Sequence, residues 1–190
     1  MTVLGGRMGP PDPETTGSAG SCKGKYMEFE RLRFTPMVKS DIPVLTPIMK
    51  RSFDQDAQLF FQKPEGGPPG YDDGSFLEKW GLHPEAASYR IDLNGTPIGA
   101  IILFVHEEHG SGYLGNIFID PAVSGNGYGS IAWRFAEHMY PKVKVWYAET
   151  PAVSYRNHYF YINKCGFHIV GVEGGRDRFS AQFKLCKTLN

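Results

Sequence analysis

Ile117-Phe118-Ile119-Asp120-Pro121-Ala122-Val123-Ser124-Gly125-Asn126-Gly127-Tyr128-Gly129-Ser130 runs from the end of an apolar strand, through a proline turn, into three glycines at every second position. The next segment is helical: Tyr128, Ile131, Ala132, Phe135, Ala136 and Met139 form one apolar stripe at i, i+3, i+4, i+7, i+8 and i+11. A strand feeding a helix through glycines creates an anion site. The first turn of a helix has unpaired N–H groups and the positive end of the macrodipole, and glycines let the backbone come close to phosphate oxygens. The chemistry therefore predicts a phosphate-bearing ligand without naming it.

The pattern on either side is mixed α/β. Upstream, Phe29 to Pro36 reads as a first strand. Ser40-Asp41 then caps a helix with Pro43 just inside it. Pro47 lacks the N–H that an interior turn needs, so either this helix kinks or Thr46 caps a fresh start. A Gly/Pro loop around Gly66-Gly67-Pro68-Pro69-Gly70 precedes a short helical stretch, Phe76 to Trp80. Tyr89 to Leu93 and Pro97 to Val105 flank Asn94-Gly95, a pair suited to the positive φ angles of a tight hairpin. His106 to Gly112 links to the strand Tyr113 to Ile119. Downstream come a strand through Val143, Val145 and Tyr147, a helix over Tyr155 to Lys164, and strands over Phe167 to Val172 and Phe179 to Cys186. This order predicts a mixed sheet with one parallel crossover around the glycine loop.

Composition bounds the function. At 190 residues the chain is one domain with a tail: residues 1–26 are rich in Gly, Pro, Ser and Thr and predict a disordered extension, and 27–190 the folded domain. Hydrophobic residues at 41% suffice for a core. Twenty basic side chains balance twenty acidic ones, which disfavours nucleic acid as a partner. No apolar run approaches the roughly 18 residues of a membrane span, and the N-terminus lacks an apolar signal core. Cys22, Cys165 and Cys186 have no Cys-x-x-Cys spacing, which fits reduced thiols and a cytoplasmic setting. His106-Glu107-Glu108-His109 spaces its histidines three apart, not the four of a helical zinc motif, so no metal site is expected.

The strand and loop, Ile117-Phe118-Ile119-Asp120-Pro121 followed by Gly125-Asn126-Gly127-Tyr128-Gly129, resemble the coenzyme A signature of the GNAT N-acyltransferases. A second block, Glu149-Thr150-Pro151, Arg156-Asn157-His158-Tyr159-Phe160-Tyr161 and Gly166-Phe167, resembles the closing segment of that family, and the order of elements matches from Phe29 to about Leu189. The resemblance implies the GNAT fold, an α/β architecture. Its central sheet is mixed and mostly antiparallel, with about six or seven strands flanked by about four helices. It also implies an N-acetyltransferase that moves an acetyl or other acyl group from acetyl-CoA directly to a primary amine of a small molecule or peptide. A homodimer is compatible with it.

In residues of this chain, the resemblance assigns the pantetheine arm to Ile117, Phe118 and Ile119, and the phosphates to Ser124, Gly125, Asn126, Gly127, Tyr128, Gly129 and Ser130. Asn157 and Tyr161 complete the cofactor set. Tyr161 would also protonate the departing thiolate, and a backbone N–H of Ile117 to Ile119 would polarise the thioester carbonyl. Three departures stand out. Ser124 replaces the usual Gln or Arg. Tyr113 falls where some members carry a glutamate base, leaving Glu149 as the candidate base. Four residues, rather than the commoner three, separate Tyr161 from Gly166, so either Ile162 takes the tyrosine's place or a one-residue bulge keeps Tyr161 there.

For the acceptor, Phe53-Asp54-Gln55-Asp56, Phe60-Phe61, Tyr71-Asp72-Asp73 and Trp80 place acids beside aromatics, a combination that suits a cationic amine. Two rival functions share the same loop: a catalytically silent acyl-CoA sensor or interaction domain, and a nucleotide-binding regulator.

Overall fold

The computed structural model describes residues 26–175 and 179–189. Apart from Tyr26, the expected N-terminal extension lies outside the described residues, as does Cys22. The elements are β1 (Met27–Phe29), β2 (Leu32–Pro36), α1 (Ile42–Asp56), β3 (Ala86–Leu93), β4 (Thr96–His106), β5 (Ser111–Ile119), α2 (Tyr128–Met139), β6 (Val145–Pro151), α3 (Tyr155–His158), β7 (His168–Gly174) and β8 (Ala181–Thr188). They build one eight-stranded sheet in the order β1-β2-β3-β4-β5-β6-β8-β7. Every neighbouring pair is antiparallel except β5 and β6, which are joined in parallel by the crossover through α2.

The run Phe29 to Pro36, expected as one strand, is a hairpin. Glu30 takes a left-handed φ of 52°, and Met27 to Phe29 fold back on Leu32 to Phe34. This turn raises the strand count to eight. The Asn94-Gly95 turn has φ values of 51° and 81°, the positive pair its sequence predicts. α1 runs unbroken through Pro47. Thr46 Oγ1 donates to the Ile42 carbonyl at 2.8 Å, and at the helix start Asp41 Oδ2 accepts from the Val38 N–H at 2.9 Å.

Each sheet face carries its own apolar cluster. α2 covers one face, where Phe34 and Phe135 stack at 3.8 Å and Trp133 meets Trp146 edge-on at 5.2 Å. α1 covers the other face, burying Met49 and Phe53 against Ile102, Phe104 and Phe118. Among the described residues no helix is long and apolar enough to cross a membrane.

Candidate functional site

β5 and β6 pair only from Ser111–Val145 to Leu114–Ala148, although β5 continues to Ile119 and β6 to Pro151. The cause is local. On its other edge, β5 pairs Leu114 with Leu103 and Asn116 with Ile102, which leaves Gly115 as the extra residue of a β-bulge. A bulge bends its strand and tightens the twist, so the C-terminal half of β5 swings away from β6. Ile117, Phe118 and Ile119 lie on this diverging half. All three side chains are buried, while their backbone has no ladder partner on the β6 side. A cleft therefore opens between the two strand ends.

The glycine loop closes one end of the cleft. Asp120 Oδ1 accepts from the Ala122 N–H at 3.0 Å and shapes the proline turn. Ser124 Oγ donates to the Pro121 carbonyl at 3.0 Å and Asn126 Nδ2 to the Val123 carbonyl at 2.9 Å, so both side chains maintain the loop itself. Gly125 and Gly127 have φ values of 83° and 80°, and a Cβ at either would point into open space. Glycine is needed there for backbone conformation. Gly127 is the N-cap of α2 and, as glycine, offers no capping side chain to the first-turn N–H groups of the helix. Sequence reasoning missed one residue here. Arg31, in the β1–β2 turn, donates to the Asn126 carbonyl at 2.5 Å, and its guanidinium lies 4.8 Å from the centre of the Tyr128 ring. Its contact spans 95 positions, so no local signal announces it.

On the α2 side of the cleft, α3 passes into a π-helical turn over Tyr159–Lys164, in which the Cys165 N–H bonds the Phe160 carbonyl at 3.0 Å. The wider turn absorbs the extra residue before Gly166. It directs Tyr161 inward to full burial and leaves Ile162 half-buried. Asn157 is fully buried as well. Burial is the main reason the Tyr161 hydroxyl is held well above the ordinary phenol pKa, with Cys165, Tyr113 and Asp56 adding to it. The hydroxyls of Thr150, Ser154 and Tyr161 are buried with no hydrogen-bond partner among the described residues. Orphan hydroxyls cost about 1–3 kcal/mol each, so a polar group entering beside them would be well received.

Glu149 is the first residue of β6 past the last parallel pair and faces the α1 side with Tyr113. Lys184 Nζ donates to Glu149 Oε1 at 2.5 Å and also pairs with Glu173. The other oxygen, Oε2, is buried. Burial, followed by the adjoining Glu149 carboxylate, pushes the Tyr113 hydroxyl up. Tyr113 hydrogen-bonds the Glu149 carboxylate and acts on Tyr161 only electrostatically.

Residues 51–167 match the model of the Acetyltransferase (GNAT) family, a span that covers the bulged strand, the glycine loop and Tyr161. The chain belongs to the GNAT acetyltransferase family. YrkN, an uncharacterized protein of Bacillus subtilis (strain 168), is 31% identical over 133 residues, which is 70% of each chain. Among solved structures, an acetyltransferase from Thermus thermophilus superposes with a TM-score of 0.66 at 20% identity, over 86% of this chain and all of that one. A spermidine N-acetyltransferase from Vibrio cholerae, in complex with CoA and spermine, gives 0.59 at 15% identity over 83% of this chain and 95% of that one. These two structures support the GNAT fold.

Three of the four acids expected to greet a cationic amine serve the scaffold of this GNAT domain, and the fourth, Asp72, is exposed. Asp54 accepts from Lys50 at 2.7 Å, from the Tyr71 hydroxyl at 2.8 Å and from the Gly66 N–H at 3.2 Å. Asp73 accepts from the Ser75 N–H at 2.8 Å. Asp56 is 1% exposed and lies 3.9 Å from Arg156, and Phe53 is core. In the His106 to His109 segment, both histidines approach Glu108 at 3.9 Å. Among the described residues no group of three or more His, Cys, Asp or Glu could hold a metal ion.

Proposed function

We propose that this protein is an acyl-CoA-dependent N-acyltransferase that transfers an acetyl group directly to a primary amine. The observation that carries the reading is the parting of β5 and β6 at Gly115, with a glycine-capped helix at one end and buried orphan hydroxyls along one side. The loop backbone from Ser124 to Ser130 would hold the pyrophosphate. Arg31 adds positive charge, which fits the loss of a long polar side chain at Ser124. The unpaired edge of Ile117, Phe118 and Ile119 would bond the amide-bearing pantetheine arm, with Asn157 beside it.

The residues divide the proton chemistry between the two faces of the sheet. Glu149, on the α1 side, takes the proton from the attacking amine, so that its lone pair can form the C–N bond. A backbone N–H of β5 polarises the thioester carbonyl. As the C–S bond breaks, Tyr161 on the α2 side donates its proton to the leaving sulfur. Its burial keeps the phenol protonated, which a donor requires. The conditions that suit this chain are those of the cytoplasm, with residues 27–190 as the working domain.

Release of free thiol from acetyl-CoA across a panel of primary amines tests the activity. Amine-dependent release is expected. Tight binding of acetyl-CoA without release by any amine or peptide would instead favour a silent acyl-CoA sensor.

A further inference from the structure

On the α1 side of the sheet, over the paired segment of β5 and β6 and reaching Glu149 just past the last pair, lies a cavity of about 290 Å³. Its walls are Phe104, Tyr113, Tyr147, Val170 and Leu185, and Glu149 is the one carboxylate on it among the described residues. The volume is near the lower end for small-molecule sites, which suits a compact ligand better than a folded protein surface. The polar lining is also economical. Beside His106 and Ser111, the charged lining is the Glu149–Lys184 pair, and Lys184 also pairs with Glu173 outside the lining, so these three side chains together carry a single net negative charge. That charge matches one ammonium group. It does not match the several charges of a polyamine, and three of the four acids that could have served one, Asp54, Asp56 and Asp73, are committed to Lys50, Arg156 and Ser75.

We propose that the acceptor is an apolar primary monoamine whose hydrocarbon body fills this cavity and whose nitrogen meets the Glu149 carboxylate. The inference rests on the acyl-CoA reading above and names its substrate class. Glu149 is 8% exposed and lines the cavity, where its carboxylate is held between Lys184 and the Tyr113 hydroxyl, so an incoming nitrogen meets a positioned acceptor. Phe104 is buried beneath the cavity floor, whereas Tyr147 and Val170 are 46% and 63% exposed and form its open rim. An aromatic or branched alkyl chain would cover that rim on binding and remove its apolar surface from water.

The test uses the full chain with acetyl-CoA, comparing 2-phenylethylamine and hexylamine with spermidine and glycinamide by thiol release. The expected kcat/KM for the two apolar amines is about tenfold or more above that for spermidine and glycinamide. Val170→Asp, at an exposed position outside the catalytic groups, should raise KM for 2-phenylethylamine about tenfold while leaving the acetyl-CoA Kd unchanged. Val170→Leu should keep KM near wild type. Spermidine or glycinamide turned over as well as the apolar amines, or a Val170→Asp KM equal to wild type, would overturn the proposal. Acetyl-CoA binding without release by either apolar amine would overturn it alone, whereas failure to bind acetyl-CoA would remove the acyl-CoA reading beneath it.

Discussion

Lys184 and Glu149 face each other across the β6–β8 ladder, and Lys184 Nζ donates to Glu149 Oε1 at 2.5 Å. One carboxylate oxygen is thereby anchored, which holds the proposed base in place. Glu149→Gln keeps the shape and removes the base. It should lower kcat by about 10²–10³-fold with the acetyl-CoA Kd unchanged. Stopped-flow thiol release and calorimetry separate the two quantities, and an unchanged kcat would take Glu149 out of the mechanism.

Tyr161→Phe removes a hydroxyl that has no hydrogen-bond partner among the described residues. Stability should therefore stay level or rise slightly, because no bond is lost and a buried polar group is relieved. Turnover should fall about tenfold to a hundredfold, with acetyl-CoA binding intact. A thermal melt run beside the kinetics distinguishes a lost proton donor from a damaged core.

Gly127→Val places a β-branched side chain at a φ of 80°. The left-handed conformation costs about 1–2 kcal/mol for such a residue, and the new side chain projects into the open face of the loop. Acetyl-CoA affinity should drop on the order of a hundredfold while the chain still folds. Circular dichroism would verify folding before titration.

Asp54 provides the pH test. Burial works to raise its pKa, but bonds from Lys50, Tyr71 and the Gly66 N–H outweigh it and hold the carboxyl below the ordinary value. A depressed folded pKa means stability that is present above the unfolded value and lost as pH falls through the folded one. Asp54→Asn should thus cost about 1–2 kcal/mol at pH 7. The gap should close as pH drops below about 4, as read from urea unfolding at a series of pH values.

Much of this was legible in the sequence because it is local. The glycine loop, its helix stripe and the parallel crossover follow from periodicity and turn chemistry within residues 113–139. The extra residue before Gly166 announces a bulge, and the π turn that buries Tyr161 absorbs it. The misses are long-range or conformational. Phe29 to Pro36 alternates well enough to pass as one strand, and only the left-handed Glu30 makes it a hairpin. That hairpin is what brings Arg31 to Asn126. Lys184 reaches Glu149 through the register of β8, which sequence spacing does not specify. Asp54 and Asp56 looked available for substrate because their partners Tyr71 and Arg156 lie 17 and 100 positions away.

The most direct test of an acyl-CoA cleft between β5 and β6 is a calorimetric titration of the full chain with acetyl-CoA, run in parallel with ATP. Saturable one-to-one binding of acetyl-CoA, with ATP much weaker, is the predicted result. No saturation by acetyl-CoA, or ATP binding as tightly, would contradict it.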